Sequence, residues 1–139
     1  YGPGQRPDLA IHKFVKAILK GEPITMYGDG SSSRDYTFVD DIVQGLLAAA
    51  QYDKTGYEII NLGNNYSISL KELIRTVEEV TGKQAIIEQL PDQQGDLPKT
   101  FADISKAKSL LGYAPQTKLK EGIKQFYDWF GENEELLMQ

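Results

Sequence analysis

Short β-forming runs alternating with longer helical stretches predict an α/β layout for this chain. Apolar residues recur at three-four spacing in several stretches, with extended runs rich in β-branched and aromatic residues between them. Gly21, Gly82 and Gly112 each stand just past a periodic stretch, where a left-handed helix cap is wanted. About five helices and about four short strands are expected, in a single domain over residues 1–139.

The elements follow in order. Asp8 is placed to cap a helix carrying Ile11, Phe14, Val15, Ile18 and Leu19, which Gly21 and Pro23 end. Ile24 to Tyr27 reads as a strand, and Gly28 to Ser33, with two glycines and three serines, as a turn. A second strand is expected from Asp35 to Val39. Asp40 or Asp41 then caps a helix with Ile42, Leu46 and Leu47 on its buried side. Glu58 to Leu62 reads as a third strand. Ser69 and Glu72 have capping-box spacing before a helix that buries Leu70, Leu73, Ile74, Val77 and Val80. Ala85 to Glu88 is expected as a fourth strand and Gln89 to Lys99 as a loop. Asp103 caps a short helix over Ile104, Ala107, Leu110 and Leu111. Thr117 caps the last helix, with Leu119, Ile123, Phe126, Tyr127 and Phe130 inward and a tail from Glu132 to Gln139 that frays.

Composition excludes several functions. The net charge of −5 gives nucleic acid no general attraction, so an anionic ligand depends on a few local arginines and helix N-termini. Without cysteine there is neither a disulfide nor a thiolate metal site, and a single histidine argues against a histidine-based one. That histidine, His12, reads as a surface or hydrogen-bonded side chain. No apolar run spans a membrane and no signal-peptide pattern is present, so a cytoplasmic location is expected.

Three constellations carry candidate chemistry. In Tyr1 to Asp8, glycines at 2 and 4 and prolines at 3 and 7 fix an irregular backbone, with Arg6 ahead of a helix. Its guanidinium suits a carboxylate or phosphate held by two parallel hydrogen bonds. A solvated arginine capping the loop is the plainer reading. The strand Ile24-Thr25-Met26-Tyr27 leads into the Gly28–Ser33 turn and Arg34. Free backbone groups there can read a base edge, Tyr27 can stack on the base, and Arg34 can hold a diphosphate. The plainer reading is a tight hairpin with Arg34 paired to Asp29 or Asp35. In Gln93 to Pro98, Asp96 lies between Gly95 and Pro98, where its carboxylate can take both ribose hydroxyls or remain an exposed loop side chain.

The runs YGPGQRPD, ITMYGDGSSSRDYTFVDD and QGDLPKTFADISKAKSLLGY resemble the C-terminal part of NAD-dependent nucleotide-sugar epimerases of the extended short-chain dehydrogenase/reductase family. The resemblance covers Tyr1 to about Phe130 and implies the substrate-binding portion of a longer enzyme whose Rossmann domain lies outside this sequence. It implies contacts to a UDP-sugar from Arg6, Thr25, Tyr27, Arg34 and Asp96. Arg6 would meet the C6 carboxylate of UDP-glucuronate, Tyr27 and Arg34 the uracil and diphosphate, and Asp96 the ribose. Tyr1 and Pro3 would lie on the cofactor side. Gln93 stands where many UDP-glucose epimerases of this family have an arginine. Asn61-Leu62-Gly63 resembles a structural stretch of the family.

No catalytic residue is expected in this chain. None of its eight tyrosines has the lysine four residues on that marks the family's base. The Gly28-Asp29-Gly30 turn lacks a third glycine and a following helix, so NAD is expected in the intact enzyme and not on this chain alone. The runs around Tyr36 and Ile59 to Leu62 would extend the sheet of the Rossmann domain. Self-association through those edges is therefore expected of the isolated chain.

Overall fold

The computed structural model describes residues 1–93 and 95–137. In chain order the elements are α1 (Ala10–Lys20), β1 (Pro23–Tyr27), β2 (Ser33–Arg34), α2 (Val39–Ala50), β3 (Ile68–Ser69), α3 (Leu70–Thr81), β4 (Ile86–Leu90), α4 (Ser105–Leu111), α5 (Leu119–Glu132) and α6 (Glu134–Leu137). β1 and β4 pair in parallel, with Thr25 opposite Glu88 and Tyr27 opposite Leu90. β2 and β3 pair antiparallel, Arg34 opposite Ile68.

Three helices make the main core. α1 contributes Ile11, Phe14, Val15 and Ile18, α3 contributes Leu73, Ile74 and Val77, and α5 contributes Ile123, Phe126 and Phe130. Each set recurs at three-four spacing, which lines its side chains along one face, as the sequence predicts. Gly21, Gly82 and Gly112 all close their helices in the left-handed conformation. A second, smaller cluster gathers Ile104, Ala107 and Tyr113, whose hydroxyl donates to the Gly63 carbonyl at 2.9 Å.

Several expectations are corrected. Residues 35–38 do not form a strand; there the Thr37 carbonyl accepts from the main-chain nitrogen of Tyr1 (2.7 Å) and Val39 N–H donates back to the Tyr1 carbonyl (2.8 Å). Residues 58–62 are not a strand either, because extended backbone needs a neighbour to complete a ladder and this run has none among the described residues. On α2, Leu46 and Leu47 are 56% and 60% exposed, while Asp41 and Gly45 face inward. Gly45 lies against Leu62 and Tyr113, an approach that larger side chains would block.

The caps also differ. The residues preceding α1, α2 and α5 are Leu9, Phe38 and Lys118, not the Asp8, Asp40 or Asp41, and Thr117 expected. Asp41 instead accepts from Gln116 and Thr117 N–H at 2.9 and 3.1 Å, and so ties α2 to the entry of α5. Ser69 caps α3 as expected, accepting from Glu72 N–H at 3.1 Å. Ile104 precedes α4, but Asp103 still accepts from Ser105 N–H at 2.9 Å. In the tail, α6 follows α5 directly, while Met138 and Gln139 lie outside the described residues.

His12 is neither exposed nor hydrogen-bonded. It is 1% exposed, its ring lies 5.5 Å from that of Phe126 and 5.4 Å from that of Phe130, and neither ring nitrogen has a partner.

Candidate functional site

The turn after β1 and the strap after β4 face each other. Gly28 N–H donates to the Leu90 carbonyl at 2.9 Å, and the Gln89 side-chain amide donates to the Gly28 carbonyl at 2.8 Å. Gly28 has φ of +63°, a left-handed conformation that glycine adopts without strain, and the Asp92 carboxylate of the strap lies against it. At its far end the strap is pinned by Ser33 N–H to the Pro98 carbonyl (2.9 Å) and Thr100 N–H to the Ser33 carbonyl (3.1 Å). Between turn and strap lies a cleft of about 430 Å³ whose lining includes Tyr27, Asp29, Asp92, Gln93 and Asp96. Gln94 of the same strap lies outside the described residues.

Asp96, which lines this cleft, pairs with Arg34 beside it. Arg34 Nη2 donates to Asp96 Oδ1 in an ion pair, and Nη1 donates to the Ser33 carbonyl at 2.9 Å. The partner of Arg34 is thus neither Asp29 nor Asp35. Asp29 accepts from Ser31 N–H at 2.9 Å, and hydrogen bonding from Ser31 holds its carboxyl below the usual range. Arg34 is the cation that can meet a diphosphate here, and the Asp96 carboxylate can accept from paired hydroxyls.

The remaining candidates are spread out. Thr25 lines an adjoining cavity of about 590 Å³ with Asp8, Lys13, Phe14 and Glu22; Tyr27 borders both spaces. Arg6 lines neither, pairing with Asp8 at 3.4 Å with its side chain 74% exposed. Pro3 is exposed. Tyr1 packs edge-on against Phe38 at 5.5 Å, and its hydroxyl donates to the Leu119 carbonyl at 3.3 Å. Burial and the negative charges of Asp41 and Glu121 raise its phenol well above the usual range. The Gly28–Gly30 turn leads into β2 and not into a helix. Among the described residues no group of three or more His, Cys, Asp or Glu side chains is placed to hold a metal, and no helix is long and apolar enough to cross a membrane.

Sequence reasoning gave Asp35 no site role of its own. Its Oδ1 accepts from Thr37 Oγ1 (3.0 Å) and Asn64 N–H (2.9 Å), and its Oδ2 from Asn65 and Ala102 N–H, both at 3.1 Å. The Asp-x-Thr spacing hints at the local bond; the distant ones have no sequence signal.

Two parallel strands in one small sheet, a glycine turn facing a strap, and an arginine–aspartate pair beside the cleft define an α/β fold with a polar cleft at its strand ends. Residues 1–126 match the profile of the GDP-mannose 4,6 dehydratase family, and the chain belongs to that family, within the extended short-chain dehydrogenase/reductases. A UDP-glucuronate 4-epimerase of Thermodesulfobacterium geofontis is 44% identical over 138 residues, 99% of this chain and 42% of the relative. A Bacillus cereus UDP-glucuronic acid 4-epimerase, solved with UDP-glucuronic acid and NAD, superposes with a TM-score of 0.85 at 38% identity over 95% of this chain and 42% of that one. A UDP-glucose 4-epimerase of Thermotoga maritima, solved with UDP-glucose, gives a TM-score of 0.84 at 33% identity over 96% of this chain and 44% of that one. The chain thus spans about 42% of the length of the curated relatives it matches.

Proposed function

We propose that this chain holds and orients a UDP-sugar for an NAD-dependent 4-epimerase, with UDP-glucuronate converted to UDP-galacturonate. The observation that carries this reading is the meeting of Arg34 and Asp96 at the cleft beside Tyr27. Tyr27 and the β1 backbone take the uracil, with Thr25 behind it. Arg34 takes the diphosphate and Asp96 the ribose. Arg6 is free to swing from Asp8 onto the C6 carboxylate, since their exposed pair is worth little. Tyr1 and Pro3 lie toward the cofactor. NAD, when bound in the intact enzyme, takes the C4 hydride and returns it to the other face of the rotated sugar. This chain contributes positioning, and alone it is inactive.

The exposed apolar face of α2 and the unpaired 57–62 run support a further part of the reading: both pack against an N-terminal Rossmann domain of the intact protein. The likeness to a UDP-glucose 4-epimerase favours as second reading a UDP-glucose or UDP-N-acetylhexosamine substrate, while Gln93, standing where many UDP-glucose epimerases have an arginine, counts against a UDP-glucose-type one. A dehydratase or decarboxylase of the same superfamily ranks below that, and a non-catalytic nucleotide-binding module is the alternative of another class. The test is NMR product analysis with the intact parent protein, NAD-loaded, given UDP-glucuronate and UDP-glucose separately. UDP-galacturonate alone supports the first reading, and UDP-galactose instead overturns the role of Arg6. Turnover of neither reopens the remaining readings.

A further inference from the structure

Arg34 and Asp96 come from segments far apart in sequence, and something must hold those segments in register. We propose that Asp35 is the positioning residue that does so, a role that rests on the nucleotide-sugar reading of the cleft. Its carboxylate joins three stretches of chain. Thr37 beside it donates a hydroxyl, Asn64 and Asn65 donate successive amides, and Ala102 donates a third amide from the far side of the strap. The second of these amides belongs to Asn65, which is left-handed with φ of +56°. Successive amides in such a bend form a concave anion site, and here the anion is a side chain of the protein itself. Gly63 allows this approach, because a Cβ there would lie 2.9 Å from Asp35 Oδ2 and 2.6 Å from Ala102 Cβ.

The consequence for the cleft follows from register. Residues 33–35 and 98–102 run side by side, joined by Ser33 to Pro98 and Thr100 through main-chain bonds and by Asp35 to Ala102 through a side chain. Asp96 leaves this clamped run two residues before Pro98, and Arg34 lies between Ser33 and Asp35. The Asp35 bond therefore stops the strap from sliding along β2, which would carry the Asp96 carboxylate off Arg34. A carboxylate is the right group here, because it accepts from several donors and offers no hydrogen of its own. Asparagine at this position turns an amide hydrogen toward the backbone amides that now donate.

The experiment is a double-mutant cycle on the intact protein that carries this chain, with UDP as the probe in calorimetry. With Arg34→Gln measured beside them, Asp35→Asn is expected to weaken UDP about tenfold, and Asp35→Asn added to Asp96→Asn to weaken it less than about twofold beyond Asp96→Asn alone. A purely structural role for Asp35 would multiply the two losses, so multiplicative losses overturn the proposal, as does an Asp35→Asn protein that binds like the wild type while Arg34→Gln is weakened. An Arg34→Gln protein with unchanged affinity overturns the nucleotide reading of the cleft itself, and the role of Asp35 with it. If Asp35→Asn does not fold, Thr37→Val, which strips one bond from the same carboxylate, takes its place in the cycle with the same criteria.

Discussion

Arg34 and Asp96, 62 positions apart in sequence, form an ion pair, with Asp96 lining the cleft between the β1 turn and the strap. Their side chains are 29% and 48% exposed, so water screens much of the attraction. An exposed pair of this kind contributes about 0–1 kcal/mol to stability. Its effect is on orientation: the guanidinium is held by Asp96 on one nitrogen and by the Ser33 carbonyl on the other, which leaves little torsional freedom to lose when an anion arrives.

Stability and binding should therefore separate at this pair. Arg34→Gln and Asp96→Asn are each expected to change unfolding free energy by less than about 1 kcal/mol. Each is expected to weaken UDP by roughly tenfold to a hundredfold, as loss of a hydrogen bond to a charged group does. Urea melts and calorimetric titration of the intact protein check both halves. Unchanged affinity in both variants would remove the cleft from consideration.

What the sequence makes legible is local. The stripes of α1, α3 and α5 are readable because three-four spacing places Phe14, Leu73 and Phe126 inward whatever the partner is. The glycine turn and the loop around Asp96 are readable from Gly28, Gly30, Gly95 and Pro98. Tertiary pairing is not legible. Nothing in Leu46 or Leu47 says that the core side of α2 belongs to Gly45, and nothing in Ile59 says that its run pairs with no strand among the described residues. The Asp35 bonds to Asn64, Asn65 and Ala102 leave no periodic trace, because each depends on chain segments that meet only in the folded state.

Gly45 permits a prediction in which two effects oppose each other. Alanine in a helix interior gains about 1 kcal/mol over glycine from propensity. At Gly45, however, a Cβ would sit 2.7 and 2.8 Å from the Leu62 methyls and 3.0 Å from the buried Tyr113 ring. Overpacking of this kind costs about 1–3 kcal/mol. Gly45→Ala is therefore expected to lower the urea midpoint, with a net loss of about 1 kcal/mol. A raised midpoint would mean that α2 moves away from Tyr113 at little cost.

His12 makes stability depend on pH. Burial lowers its imidazole below the ordinary 6.5, the positive charge of Lys16 adds to this, and the nearby Gln5 main chain, short of a formed hydrogen bond, offsets part of it. The folded state therefore holds the ring neutral where the unfolded chain would protonate it. The unfolded state binds more protons in that window, so stability rises with pH there. It is complete above about 6.5 and is lost as pH falls below that value toward the lowered folded pKa. Urea melts at pH 7.5 and pH 5.5 should show this loss, and His12→Phe should flatten it. An equal loss in the variant would assign the effect to other groups.

The exposed apolar face carries the last prediction. Val43, Leu46 and Leu47 on α2 are 44%, 56% and 60% exposed, and Tyr57 and Ile59 nearby are 79% and 68% exposed. Leu46, Tyr57 and Ile60 line one surface hollow of about 350 Å³, so the helix and the run form a continuous patch. Burying such a patch gains about 25 cal/mol for each Å² of apolar surface, and in the 139-residue chain a second copy is the available cover. Sedimentation of that chain should show mass rising with concentration. Leu46→Glu with Ile59→Lys should return it to monomer without lowering helix content, because both side chains already face outward. A wild-type chain that stays monomeric at high micromolar concentration would mean that the patch tolerates water, and would weaken the case that a further domain covers it in the intact protein.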